Sequence, residues 1–93
     1  MQKITEEKLQ GYIDITKEAL EKVKITKNKK LIMKANELLN LSICYYNDSI
    51  FFKNKGDFIN AFAAINYAHA FLDAGVILKL FIVNDSKLFM VDK

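Results

Sequence analysis

The segment around Gly56 and Asp57 constrains the fold most, because it places a helix stop directly before a helix start, between two long apolar patterns. Glycine readily adopts the left-handed conformation that ends many helices, and aspartate accepts hydrogen bonds from the free amides of a first helical turn. A link this short leaves its two helices antiparallel and in contact. The sequence therefore predicts a helical hairpin at the centre of the chain.

The spacing of apolar residues predicts three helices, at about residues 5–25, 30–55 and 58–83. In the first, residues such as Leu9 and Ile13 follow alternating steps of four and three residues, which place them on one face. The chain contains no proline to interrupt such helices. Because both links are short, we expect an all-α fold, an antiparallel up-down-up three-helix bundle, formed by residues 1–93 as a single domain.

The C-terminal residues allow more than one structure. Two apolar runs, Leu80 to Val83 and Leu88 to Val91, flank four polar residues, a pattern that fits a small β-hairpin. Alternatively, the third helix ends near Val83 and a short tail, residues 84–93, docks on the bundle. The docked tail is our prediction, because an isolated two-stranded hairpin is only marginally stable in water.

Composition indicates a globular protein, with 52% hydrophobic and 27% charged residues. The single cysteine, Cys44, has no partner within the chain, which favours a reducing compartment. The first residues lack the apolar core of a secretory signal, and the long apolar third helix carries polar and charged side chains. We therefore expect a cytoplasmic protein and no membrane contact.

A narrow polar stripe, formed by Asn66, His69 and Asp73, runs along the otherwise apolar third helix. A carboxylate one turn from an imidazole can orient it for acid-base chemistry, but this spacing is also an ordinary contact on a helix surface. The sequence offers no nucleophile, second base or glycine-rich loop beside the pair, and one histidine is a poor start for a metal site. We expect no catalytic, cofactor-binding or metal-binding residues, and expect the stripe to face water or a partner.

The third helix is apolar around most of its circumference, which is more than two neighbouring helices can cover. The C-terminal tail and a second copy of the chain are the candidates to cover the remainder, and a homodimer is the expectation. On the second helix, Phe51 lies near the asparagine-rich side and is also a candidate partner contact.

A cluster of lysines surrounds the predicted link between the first two helices. Its members are Lys22, Lys24, Lys27, Lys29, Lys30 and Lys34. Six cations without an intervening acid could bind phosphates in a salt-dependent manner. The chain contains no arginine, however, and arginine is the residue that recognises phosphates and base edges with two parallel hydrogen bonds.

Two resemblances to known families arise at the central hairpin. The run from Gly56 through Ala61 to Ala68 resembles the middle of a single tetratricopeptide repeat, but one copy cannot build a solenoid. A longer string contains the elements Tyr45-x-x-Asp48, Lys55-Gly56-Asp57-Phe58, Tyr67-Ala68 and Leu72-Asp73-Ala74-Gly75. Over roughly residues 30–80, this combination is similar to the small archaeal helical family called domain of unknown function 357.

This resemblance implies an archaeal, cytoplasmic three-helix bundle without an assigned activity. Some relatives join the bundle to a nucleotidyltransferase-like domain, which implies an accessory or docking role. Capping explains Asp57, which leaves Asp48, Tyr67 and Asp73 as matching polar positions of open purpose. We expect a non-enzymatic protein-interaction or accessory module that self-associates; the alternative is a weak nucleic-acid-binding bundle that uses the lysine cluster.

Overall fold

A computed structural model of the chain describes residues 4–83. The elements follow one another as α1 (Glu6–Lys22), β1 (Lys24–Ile25), α2 (Ile32–Asn54), α3 (Phe58–Ile77) and β2 (Phe81–Ile82). The three helices pack together as the predicted all-α, antiparallel three-helix bundle. The predicted tail, residues 84–93, lies outside the described residues.

Local signals explain how α1 begins and which face it buries. The hydroxyl of Thr5 accepts a hydrogen bond from the amide of Lys8 at 3.1 Å, and two glutamates occupy the first turn, where the helix dipole favours negative charge. The buried residues of this helix are Leu9, Ile13, Thr16 and Ala19. The helix ends at Lys22 rather than near residue 25, because the next residues pair with another strand.

The link between α2 and α3 is the one that the sequence predicts. Gly56 has a φ of 77°, and its amide donates to the carbonyl of Lys53 at 2.9 Å. The amide of Asp57 donates to the carbonyl of Phe52 at 2.9 Å, which completes a Schellman motif at the end of α2. The Asp57 carboxylate then accepts the amide of Asn60 at 3.2 Å and caps α3.

Small residues at seven-residue intervals bring α2 and α3 close together. In α2 the buried residues are Ala35, Ser42 and Ser49. In α3 a matching series is Ala61, Ala68 and Gly75, all buried. The short side chain of Ser42 reaches across to the backbone carbonyl of Ala68, with an oxygen-oxygen distance of 2.7 Å, so the two backbones are near neighbours.

The end of α3 differs from the prediction that this helix extends to residue 83. The helix ends at Ile77, and the next residues, Leu78 and Lys79, form a second Schellman motif in which Lys79 has a φ of 64°. In this motif the amide of Leu80 donates to the carbonyl of Gly75 at 2.8 Å. This turn redirects the chain back toward the bundle.

After this turn, β2 pairs with β1 in an antiparallel two-stranded sheet, in which Lys24 lies opposite Ile82 and Ile25 lies opposite Phe81. One strand of the predicted alternative, a hairpin between residues 80–83 and 88–91, pairs here with β1, while residues 88–91 lie outside the described residues. Phe81 is buried against Gly75, where an added Cβ atom would overlap its ring.

Two clusters of buried side chains form the core. The cluster near the sheet contains Ala19, Ala35, Leu72, Leu80 and Phe81. The cluster nearer the Gly56 turn contains Leu9, Ile13, Ala61, Ile65 and Ala68. Alanine is prominent in both clusters, as expected where helices approach closely, and the larger side chains come chiefly from α1, α3 and β2. Within residues 4–83, no helix is both long and apolar enough to cross a lipid bilayer.

Candidate functional site

A groove of about 300 Å³ lies between α1 and α3 and contains the polar stripe that the sequence singled out. Its lining residues are Tyr12, Ile15 and Thr16 of α1 and Ile65, Asn66, His69, Ala70 and Asp73 of α3. The α3 residues are three and four positions apart, so the helical repeat places them along one side. The groove therefore has largely apolar walls and a few polar groups.

Three of these polar groups form a connected series. The hydroxyl oxygen of Thr16 lies 3.1 Å from Nδ1 of His69, and Nε2 of His69 lies 3.9 Å from Oδ1 of Asp73. Thr16 is 1% exposed, whereas the His69 and Asp73 side chains are 25% and 23% exposed. The buried hydroxyl of Thr16 therefore orients the His69 imidazole from the core side. The Asp73 carboxylate lies beside the opposite, more exposed edge of the ring.

This series has the residue types of a hydroxyl, base and carboxylate triad, but its arrangement does not serve nucleophilic attack. A nucleophile must approach the substrate, and the Thr16 oxygen is enclosed between α1 and α3. The Asp73 carboxylate is 3.9 Å from the imidazole nitrogen that it faces, which is longer than a hydrogen bond. The geometry orients His69 and Asp73 at the rim of the groove, where they can form hydrogen bonds with a bound partner.

The contribution of α1 to this groove was not predicted from the sequence, which singled out only the α3 residues. Thr16 carried a usable signal, because it occupies a position in the apolar series that includes Leu9 and Ile13. Buried hydroxyl groups nearly always have a hydrogen-bond partner, so a threonine in that series indicates either a bond to its own helix backbone or a polar group on a facing helix. His69 is that group.

Tyr67, another predicted interaction residue, lies on the side of α3 that faces α2. Its ring centroid is 5.3 Å from that of Tyr45 and 6.5 Å from that of Phe71, and Tyr45 stacks on Phe71 at 5.7 Å. The three rings form an aromatic cluster between the helices. Tyr67 is nevertheless 56% exposed, so much of its ring is available to a partner.

The other two predicted interaction residues lie on α2, away from the groove. Asp48 is exposed. Phe51 is 52% exposed, packs edge-on against Phe52 at 5.5 Å and lies beneath the amine of Lys55 at 4.5 Å. The structure thus gathers Asn66, His69 and Asp73 into one site and leaves Asp48 and Phe51 apart from it.

The side of α3 that faces away from both other helices is largely apolar. We call it the outer face of α3; it consists of Ile59, Ala63, Asn66, Ala70, Asp73 and Ile77. Ile59 is 76% exposed and Ile77 is 58% exposed, and the residues between them are mostly small. The groove opens along one edge of this face, and Tyr67 borders the other edge.

The six clustered lysines lie together at the opposite end of the bundle from the Gly56 turn. Lys22 ends α1, Lys24 lies in β1 and Lys34 lies in the first turn of α2, while Lys27, Lys29 and Lys30 occupy the connection. All six are exposed. Lys22 also forms an ion pair with Glu18 at 3.0 Å.

A second groove, of about 240 Å³, lies between α1 and α2. Here the amine of Lys53 donates to the side-chain oxygen of Gln10, whose amide donates in turn to Asp14 at 2.8 Å. These polar contacts join the exposed edges of the two helices. Among the described residues, no group of three histidine, cysteine, aspartate or glutamate side chains could hold a metal ion.

The fold places this chain in the class of small, all-α three-helix bundles. Within this class, the chain belongs to the family described as "Protein of unknown function (DUF357)", whose model matches residues 11–81. The matched region extends from the first part of α1 to the start of β2. It therefore includes every residue that lines the groove between α1 and α3. No curated protein and no solved structure matches the chain.

Proposed function

We propose that this protein is a non-enzymatic interaction module that binds a protein partner through the outer face of α3. The exposure of large apolar side chains carries this proposal. In the described part of the chain, six such side chains are more than half exposed, and four of them lie on α3 or just after it. These four are Ile59, Tyr67, Ile77 and Leu78; the other two are Met33 and Phe51 of α2.

The groove supports the same proposal, because it places hydrogen-bonding groups at the border of an apolar surface. Protein interfaces commonly combine an apolar centre with a polar rim. Asn66, His69 and Asp73 would supply part of that rim. Tyr67 is a tyrosine, one of the residue types enriched among the strongest interface contacts. The proposed setting is the archaeal cytoplasm, as the family resemblance implies and as the exposed thiol of Cys44 favours.

The test compares capture of partners from native lysate by three forms of the protein. Wild type is compared with the double variant Ile59→Lys/Ile77→Lys and with Met33→Lys, which places the same charge at a 74% exposed position of α2. We expect wild type and Met33→Lys to retain the same protein, and the double variant to lose it while keeping its helical circular dichroism. Equal capture by all three forms would contradict the proposal.

A second candidate function is electrostatic binding of nucleic acid by the lysine cluster, favoured by the exposure of all six amines at one end of the bundle. The test is a titration of labelled single-stranded RNA at several salt concentrations. The triple variant Lys27→Gln/Lys29→Gln/Lys30→Gln is compared with Lys8→Gln/Lys17→Gln/Lys55→Gln, which has the same net charge. If the cluster binds phosphates, the first variant should reduce the slope of log affinity against log salt by about 2, since each contact with a single strand contributes about 0.7.

Equal binding by the two triple variants would rule out the cluster as the contact surface. Nuclease treatment of the captured material separates this candidate from protein binding, because a protein partner held through α3 should remain after the treatment.

A further inference from the structure

The residues of the outer face of α3 are spaced as in a helix that packs against another helix. From Ile59 to Ile77 the steps are four, three, four, three and four residues. This alternation averages three and a half residues and keeps a seam on one side of a helix, directed at a partner helix. Neither α1 nor α2 covers the seam, because its residues are exposed or, for Asp73, partly exposed. Asn66, Ala70 and Asp73 also line the groove on the α1 side of the seam.

The seam is also symmetric about Ala68. Ile59 and Ile77 lie nine residues before and after it, Ala63 and Asp73 lie five, and Asn66 and Ala70 lie two. If a second copy of α3 runs antiparallel along the first, each of these residues is opposite its symmetric counterpart. The bulky isoleucines then meet at both ends, and small or short side chains meet in the middle.

We propose that the partner of the outer face is a second copy of this chain, paired antiparallel about a two-fold axis that crosses the seam between Asn66 and Ala70, level with Ala68. This inference rests on the proposed function and specifies its partner. A two-fold axis requires a self-complementary surface, in which each contact occurs twice. The symmetric spacing of the seam meets that requirement.

The interior of the protein contains an antiparallel helix pair of the same design. The α2–α3 interface uses small residues at seven-residue intervals, and there a serine hydroxyl reaches the neighbouring backbone at 2.7 Å. The outer face has Ala63 and Ala70 seven residues apart, with Asn66 between them. Small side chains at these positions allow a second copy of α3 to approach closely.

The polar residues of the seam are compatible with this pairing. In the proposed register Asn66 lies opposite Ala70 of the partner subunit, and therefore one helical turn from Asp73 of the partner subunit. An amide can donate a hydrogen bond to a carboxylate over that distance. The contact occurs twice because of the two-fold axis, and a shifted register would separate these groups.

The outer face of α3 alone is too small for a standard protein interface, so residues on both sides of it must also contact the partner subunit. A helix about 30 Å long and about 10 Å wide presents a strip on the order of 300 Å². Each partner in a standard interface buries about 800 Å². Half-exposed side chains on both sides of the strip can supply the difference: Tyr12 and Ile15 of α1 beside the groove, and Tyr67 and Leu78 beside α2.

Sedimentation of the wild type and the variants tests the association. We expect wild type and Met33→Lys to form a dimer as concentration rises, and Ile59→Lys/Ile77→Lys to remain a monomer at the same concentrations. A wild type that sediments as a monomer at its highest soluble concentration would overturn the inference.

Cysteine cross-linking tests the register, in a Cys44→Ser background that removes the native exposed thiol. We expect a mixture of Ile59→Cys and Ile77→Cys proteins to form a disulfide-linked heterodimer, while neither protein cross-links to itself. In the proposed pairing the two copies of position 59 are about 27 Å apart, since they are separated by 18 residues of helix at about 1.5 Å each. Efficient cross-linking of either protein alone would overturn the antiparallel register.

The proposal that the outer face of α3 binds a protein and the proposal that this protein is a second copy of the chain can fail separately. A monomeric wild type whose partner from lysate is lost in the Ile59→Lys/Ile77→Lys variant would refute self-pairing and support binding of a different protein through the same face. If the double variant altered neither sedimentation nor partner capture, both proposals would be wrong.

Discussion

The ends of α2 and α3 form the same backbone motif with different residues. Both are Schellman motifs, with a left-handed residue after the helix, but that residue is Gly56 after α2 and Lys79 after α3. Glycine adopts this conformation at little cost, whereas a residue with a Cβ atom is strained by about 1–2 kcal/mol. Local sequence is therefore sufficient to stop α2, whereas α3 stops because of what the following residues contact.

Those following residues are Leu80 and Phe81, both buried in the core cluster near the sheet. Their burial and the β1–β2 hydrogen bonds offset the strain at Lys79. A Schellman motif can therefore be specified in two ways, by the residue at the turn or by the packing of the segment that follows the turn. Four substitutions would separate these two contributions.

The largest expected effect is that of Phe81→Ala, which removes the aromatic ring that packs under α3. Truncating a buried phenylalanine typically lowers the free energy of unfolding by about 3–5 kcal/mol. Urea denaturation measures this change. Hydrogen exchange should also accelerate at the amide of Thr26, which donates to the carbonyl of Leu80 at 2.9 Å. Unchanged protection there would mean that the strands pair independently of Phe81.

Gly75→Ala should destabilise the protein because the new methyl group would overlap the ring of Phe81. Overpacking in a core typically costs about 1–3 kcal/mol. Gly11→Ala is the matched control, since beyond the neighbouring backbone of its own helix no atom lies within 4 Å of the added Cβ. An alanine in a helix should stabilise the protein by about 0.5–1 kcal/mol relative to glycine. Thermal melts should therefore show a lower melting temperature for Gly75→Ala and a higher one for Gly11→Ala. A stabilising effect of Gly75→Ala would contradict the close contact between Gly75 and the ring of Phe81.

Gly56→Ala tests the end of α2, where open space surrounds the residue but its φ is 77°. We expect a loss of about 1–2 kcal/mol in unfolding free energy, due to backbone strain alone. Gly56→Asn should lose less, because asparagine tolerates the left-handed conformation better than alanine. If the two variants were equally stable, strain at this position would not be the cause.

Lys79→Gly should have the smallest effect and the opposite sign, a gain of up to about 1 kcal/mol from relief of strain. The lysine side chain makes contacts of its own. Lys79→Ala is therefore the reference, because it also removes the amine but keeps the strain. Chemical denaturation measures the free energy of unfolding of both variants, and the difference between them is the backbone strain at position 79. A difference near zero would show that the turn after α3 is unstrained.

The same contrast explains how much of the fold could be predicted from the sequence. The three helices and the hairpin depend on local signals, namely apolar spacing, the Gly56 turn and the Asp57 cap. The β1–β2 pair joins strands more than 50 residues apart and only two residues long, and no local pattern marks its register. The apolar spacing alone predicts that α3 continues to residue 83, and the turn at Lys79 has no glycine to mark it.

The candidate site divides in the same way. Asn66, His69 and Asp73 could be grouped in advance, because residues three and four apart share one side of any helix. The opposite wall depends on how α1 is rotated against α3, which is a property of the packed molecule. Only Thr16 indicated that rotation, through its need for a hydrogen-bond partner inside the core.

The contact between Thr26 and Leu80 means that the chain enters and leaves the α2–α3 hairpin at a single point. The amide nitrogen of Thr26 and the carbonyl oxygen of Leu80 are 2.9 Å apart. Insertion of a foreign segment into a host protein succeeds best when the segment's two ends lie close together. The ends of the α2–α3 hairpin are thus close enough to fit a surface β-turn of another protein, and such an insert would need a replacement for Leu9 and Ile13 of α1, which cover its buried face.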